Sequence, residues 1–215
     1  MNSTNTNQLV TKLIDRIDKN PDNYHNYYNL SVVLVELHDY DQAEELLLKS
    51  IKLFENNNNA LNTFNFGLGN LYYILSDYNR AIAFLLRVTD KKLQVDSFQL
   101  LAQIYLQLKQ YKRAISFANL VYEKKKKDPD ILELLGDIYL SEGDFDKSIY
   151  FYKKALCFKK TAKLYLNMSL LYKLKNNIDD SKVYIKKAKK LDISYVNRKI
   201  NLINDLGKFL NNKGI

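Results

Sequence analysis

Apolar residues recur every three or four positions along most of the chain, in runs broken at regular distances by short polar stretches. In "LGDIYLSEGDFDKSIYFYKKAL", residues 135–156, Leu135, Ile138 and Tyr139 share one helical face. The pattern stops at Gly143 and resumes with Phe145, Ser148, Tyr152 and Ala155. This predicts two helices joined by a tight turn. The same order returns in "LSVVLVELHDYDQAEELLLKSI" from Leu30, "LGNLYYILSDYNRAIAFLLRVT" from Leu68, "LAQIYLQLKQYKRAISFANLVY" from Leu101 and "MSLLYKLKNNIDDSKVYIKKAK" from Met168. The starts fall at 30, 68, 101, 135 and 168, giving intervals of 38, 33, 34 and 33.

Certain positions are held in phase. A small residue opens each copy at Ser31, Gly69, Ala102, Gly136 and Ser169, and a second follows the turn at Ala43, Ala81, Ala114, Ser148 and Ser181. Antiparallel helices approach closely only where side chains are small, so these positions predict the crossing of the pair. Tyr72, Tyr105, Tyr139 and Tyr172 lie three residues after the first small residue, with Leu34 in the first copy. Tyr40, Tyr78, Tyr111 and Phe145 open the second helix, with Ile178 in the last copy. Large rings beside a close crossing fill the space between neighbouring helices. One such pair cannot cover its own apolar face, whereas stacked pairs cover each other.

Five phased copies at about 34 residues resemble the tetratricopeptide repeat, a helix-turn-helix unit. The resemblance implies an all-α, right-handed superhelical solenoid of five repeats, at 24–57, 62–94, 95–128, 129–161 and 162–193. Residues 1–23 then hold an N-terminal helix covering the first repeat, and 194–215 a C-terminal helix. In "QLVTKLIDRIDK", Leu9, Val10, Leu13, Ile14 and Ile17 share a face whose phase matches the second helix of a preceding half-repeat. In the last helix Val196, Ile200, Ile203, Leu206 and Leu210 are expected to pack on the fifth repeat, with Leu202 and Phe209 toward another side. "ENNNNALN", residues 55–62, accounts for the longer first interval. Its four asparagines are expected to form a loop, because asparagine competes with helical hydrogen bonding.

Composition agrees with helices. Two prolines and six glycines are too few turn-formers for an all-β chain of 215 residues. The single cysteine, Cys157, allows no internal disulfide and is expected as a small core residue. No secretory signal and no run of about 18 apolar residues is visible, so a cytoplasmic location is expected. Charge is uneven. Residues 1–108 carry 9 Lys and Arg against 12 Asp and Glu; residues 109–215 carry 24 against 12. A solvated lysine surface accounts for this; the alternative is an anionic partner, nucleic acid or membrane headgroups. "YEKKKKDPD" at 122–130 reads as a lysine-rich helix end. His25 and His38 have no neighbours fit for a metal site, and the glycines form no phosphate loop. No cofactor and no catalysis are expected.

What remains is a binding surface. In the tetratricopeptide family the first helix of each repeat lines a concave groove. Carried over, the lining includes Tyr28, Val32 and Val35, then Phe66, Asn70 and Tyr73, then Gln99 and Gln103, then Asp130, Glu133 and Asp137. The fifth repeat contributes Lys163, Leu166, Leu170, Lys173 and Leu174. The positions with which one subgroup grips a C-terminal carboxylate hold Tyr28, Val32, Gly67, Asp96 and Leu100 here, so that ligand is not expected. Three carboxylates on one helical face call for an opposing cation. The resemblance and the charges together imply a protein or peptide partner with apolar and basic residues, and the apolar ends leave room for self-association.

Overall fold

The structure, a computed structural model, describes the backbone of residues 3–212 and the side chains of 8–204. Twelve helices and no strand occur among the described residues. They are α1 (Ser3–Lys19), α2 (Tyr24–Glu36), α3 (Tyr40–Leu53), α4 (Asn58–Ile74), α5 (Tyr78–Leu85), α6 (Lys91–Gln107), α7 (Tyr111–Lys124), α8 (Pro129–Glu142), α9 (Phe145–Phe158), α10 (Ala162–Leu174), α11 (Ile178–Leu191) and α12 (Ile193–Asn212). Helices α1–α7 form one compact unit and α8–α12 a second, divided after Lys124. The lysine run at 124–127 lies at this division: Lys124 ends α7, and Asp128 caps α8 with Pro129 in its first turn.

Each pair is made by the same turn. His38, Ser76, Lys109, Gly143 and Asn176 have φ of 62°, 59°, 57°, 92° and 58°. They stand at intervals of 38, 33, 34 and 33, the intervals of the sequence repeat. The connections α1–α2 and α11–α12 contain no such residue. The second helix of a pair is then capped: Asp39, Asp77, Asp144 and Asn177 accept from the backbone N–H of Gln42, Arg80, Lys147 and Asp180. The aromatic or aliphatic residue after each cap is the first helical residue.

The small residues sit at the crossings. Ala43, Ala81, Ala102 and Ala114 are fully buried, and Ser31, Ser148, Ser169 and Ser181 are buried too. A Cβ placed on Gly136 would lie 2.4 Å from the Tyr152 ring, and one on Gly69 2.6 Å from Leu85. Ser148 Oγ donates to the Gly136 carbonyl at 2.8 Å, and Ser169 Oγ to the Ser181 carbonyl at 2.9 Å. Beside each crossing two rings stack. Tyr72 lies on Phe84, Tyr105 on Phe117 and Tyr139 on Phe151, each with centroids 5.5 Å apart, and Tyr172 lies on Tyr184 at 5.4 Å. Arg80, Arg113 and Lys147, from equivalent positions, place their cations over the first three tyrosines.

Three expectations need correction. The asparagine run is not a loop throughout: Asn57 caps α4 through its side chain, and Asn58 and Asn59 form the first turn. Asparagine is poor inside a helix but favoured at its cap, so the extra residues lengthen α4 to 17 residues, against 13 in α2. Cys157 is exposed rather than in the core. It stands two residues past fully buried Ala155, which turns it to the outer face of α9, where its thiol donates to the Lys153 carbonyl. The α1 stripe is graded: among its described side chains Leu13 is buried, Val10 and Ile17 are half-buried, and Leu9 and Ile14, at its edges, are exposed. On α12 Val196 is buried against Leu166 and Ala188, with Ile200 partly covered, but Ile203 is exposed along with Leu202. The side chains of Leu206, Phe209 and Leu210 lie outside the described residues.

Candidate functional site

In the first unit α2, α4 and α6 lie side by side, and their shared face carries two adjoining clefts of about 230 Å3 each. The first is lined by Tyr28, Val32 and Val35 of α2, Leu47 of α3, and Asn70 and Ile74 of α4. The second is lined by Phe66 and Asn70 of α4 and by Asp96, Gln99 and Gln103 of α6. Asn70 is the wall between them. Of the residues expected here, Tyr73 alone lines neither; its ring is turned toward Tyr78, with centroids 6.4 Å apart.

The geometry follows from the helix register. Tyr28 and Val32, like Phe66 and Asn70 or Gln99 and Gln103, are four apart and present one face. Gly67 admits the Tyr28 ring: a Cβ there would stand 3.2 Å from Tyr28 and 3.1 Å from Leu47. Burial among these groups pushes the Tyr28 hydroxyl above the usual tyrosine range, so it remains a donor. Val32 and Ile74 are 38% and 43% exposed, open apolar surface at the cleft mouth. The side-chain amides of Asn70, Gln99 and Gln103 make no hydrogen bond among the described residues. Sequence reasoning did not expect Ser31, Leu47, Gly67 or Leu100 in the lining. A glycine two positions before the crossing glycine Gly69 is the one signal that marked the place.

The acidic face of α8 belongs to the second unit and is not short of cations. Lys159 pairs with Asp130 at 2.8 Å, and Lys163 with Glu133 at 2.5 Å and Asp137 at 3.5 Å. The Tyr152 hydroxyl donates to Asp137 and accepts from Asn167 at 3.3 Å. Burial raises the Asp137 carboxyl above its ordinary range, against the opposing pull of Tyr152 and Lys163. The counter-charge expected from a ligand is supplied within the chain.

The charge imbalance between the two halves holds for the two units as well. Counting along the sequence, residues 1–124 carry 13 Lys and Arg against 13 Asp and Glu, and residues 125–215 carry 20 against 11. The whole net charge of +9 therefore lies in the second unit. Several of its lysines are engaged inside the fold. Lys153 is over Tyr172, Lys154 over Tyr150 and Lys187 over Tyr184, while Lys147 pairs with Asp144 and Lys175 with Asp146. Among the described residues no three His, Cys, Asp or Glu side chains come together as a metal site would need, and no helix is long and apolar enough to cross a membrane.

Comparison with known proteins gives one family. A profile of the tetratricopeptide repeat matches residues 24–57, 95–126, 129–156 and 162–192, skipping the second repeat, whose closing helix α5 has only 8 residues. No curated protein matches. Among solved structures, the pilF protein of Pseudomonas aeruginosa superposes with a TM-score of 0.74 at 20% identity, covering 93% of this chain and 90% of that one. BtubC from P. vanneervenii gives 0.73 at 17%, covering 89% and 90%. YrrB, described as a TPR protein with an unusual peptide-binding site, gives 0.66 at 19%, covering 85% and 93%. At such identities these likenesses speak for the fold alone. With four profile matches over more than half its length, on paired helices joined by one repeated turn, the chain belongs to the tetratricopeptide repeat family.

Proposed function

We propose that this protein is a non-catalytic, cytoplasmic adaptor or chaperone-like scaffold that holds a partner segment across α2, α4 and α6. The observation that carries the reading is the pair of clefts sharing Asn70, with exposed Val32 and Ile74 beside the unpaired amides of Asn70, Gln99 and Gln103. Apolar walls with a few unsatisfied polar groups are what a bound segment covers, and side-chain amides match the donors and acceptors of an extended backbone. The unusual peptide-binding site of YrrB is consistent with this use of the fold. Nothing in the reading requires α8, whose carboxylates already have partners.

The test is capture of partners on the immobilised chain, followed by titration of the captured protein. Val32→Glu combined with Asn70→Ala is expected to weaken binding about tenfold or more, because a buried anchor contact and the shared wall are lost together. The melting profile should not change, since both side chains are at the surface. Unchanged affinity with an intact fold removes this face from the site.

The concentration of charge on residues 125–215 favours one other reading, an anionic-surface binder. Duplex DNA, RNA and anionic liposomes are expected not to bind at moderate salt, because several lysines of this unit are engaged by its own rings and carboxylates. Binding that falls steeply with added salt, as counterion release requires, would replace the first reading with this one.

A further inference from the structure

The fourth and fifth repeats differ at one buried position. Tyr152 of α9 is fully buried over Gly136. Thirty-three residues on, Ile185 of α11 faces the other way in size, opposite Ser169 of α10. Where the fourth repeat is filled by a ring, the fifth keeps a cleft of about 280 Å3 between α10, α11 and α12, walled by Leu166, Leu170, Ile178, Ile185, Ile200 and Ile203. It occupies the register of the first cleft of the other unit: Leu166, Leu170 and Ile185 each stand 138 residues after Tyr28, Val32 and Leu47.

The rim is of opposite character to that earlier cleft, which has Glu36 at its edge. Here Lys173 and Lys182 stand at the mouth, with Asn204 opposite. Neither lysine has a carboxylate partner among the described residues, in a unit that carries the whole net charge of +9. Among the described residues no carboxylate pairs with Lys173 or Lys182 as Asp130 and Glu133 do with Lys159 and Lys163. An apolar hole edged by two cations that no described carboxylate pairs is complementary to an apolar group carrying an anion. The cleft is too small for an entire drug-sized ligand but fits one or two large side chains. The amide of Asn204 adds a donor and an acceptor that a peptide backbone can meet and an acyl chain cannot.

We propose that the cleft between α10, α11 and α12 is a second binding site, which takes a protein segment presenting a large apolar side chain next to aspartate or glutamate. None of its lining residues belongs to the α2–α4–α6 face.

The test uses the whole chain and a fluorescein-labelled amphipathic peptide built from leucine and glutamate, with a leucine–lysine peptide as counterpart, read by fluorescence polarisation. The acidic peptide should bind, and the lysine peptide about tenfold or more weaker. Ser169→Gly with Ile185→Tyr rebuilds the filling of the fourth repeat and should weaken the acidic peptide at least as much. Lys173→Gln with Lys182→Gln leaves the walls in place, so it decides the matter even if the filled variant folds poorly; it should reduce both the affinity and its salt dependence. Three outcomes overturn the proposal: no binding of the acidic peptide, binding that neither variant changes, or cleft-dependent binding of laurate or anionic vesicles without binding of the peptide. Loss of the Val32 and Asn70 contacts should leave this titration unchanged.

Discussion

Gly136→Leu is expected to open the α8–α9 pair and cost about 3 kcal/mol or more, the upper end of what overpacking a core does. The added Cβ alone would stand 2.4 Å from Cδ1 and Cε1 of Tyr152, well inside contact distance. The ring has nowhere to go. Its hydroxyl is held by Asp137 and Asn167, and its body is fully buried. The same move at Gly69 meets an aliphatic neighbour, Leu85, which can shift to another rotamer, so Gly69→Ala should cost less than Gly136→Ala. Paired residues across the crossings trade size for size: Ala102 accompanies Ala118, and Gly136 accompanies Tyr152. Gly136→Ala should therefore be partly rescued by Tyr152→Leu, a coupling that a double-mutant cycle measures. Urea unfolding together with amide exchange on α8 and α9 reads the effect in the right unit. An unchanged midpoint for Gly136→Leu would refute the crossing.

The repeat was legible because its signals are redundant. Each pair carries two small crossing residues, a ring stack and a capped turn, and the failure of one, as at Leu34 or Ile178, leaves the rest in phase. Helix boundaries were less legible. The asparagine run has low helical propensity whether it forms a loop or a cap and first turn, and only the position of Asn57 relative to Ala60 separates the two. Cys157 shows the limit of periodicity: a residue beside a buried stripe reads as part of it until the helix phase is fixed by Ala155 and Tyr152. At the candidate site, the positions on α2, α4 and α6 follow from the repeat register, since residues four apart must share a face. The neutralisation of α8 did not follow. It depends on which lysines at and beyond the end of α9 reach back 29 or 30 residues, as Lys159 does to Asp130 and Lys163 to Glu133, and long flexible side chains leave no periodic trace. Of the cleft beside α12, the α10 wall of Leu166, Leu170 and Lys173 followed from the same register; the opening itself did not, because it arises from what a side chain fails to fill.

Tyr152 is where packing and charge meet, and two substitutions there should separate them. Tyr152→Ala removes a fully buried ring and is expected to cost about 3–5 kcal/mol, as large-to-small core changes do. Tyr152→Phe keeps the volume and removes only the hydroxyl that donates to Asp137. Leaving a half-buried carboxylate without that donor should cost about 1–3 kcal/mol near neutral pH. The cost should depend on pH in a definite sense. Burial raises the folded carboxyl of Asp137 above the ordinary 3.8, so its contribution to stability is fully present below that value and is lost as pH climbs through the raised one. The Tyr152 hydroxyl opposes the rise by favouring the ionised form. Without it the folded value moves higher still, and more stability is lost on the way to neutrality. The deficit of Tyr152→Phe relative to the natural chain should thus be smaller at about pH 4 than at about pH 7, because protonation of Asp137 removes the charge that the hydroxyl favours. Asp137→Asn should abolish that growth. Urea midpoints for the natural chain and the three variants at both pH values are sufficient. A Tyr152→Phe deficit that is the same at both would mean that the hydroxyl contributes nothing to holding the Asp137 charge.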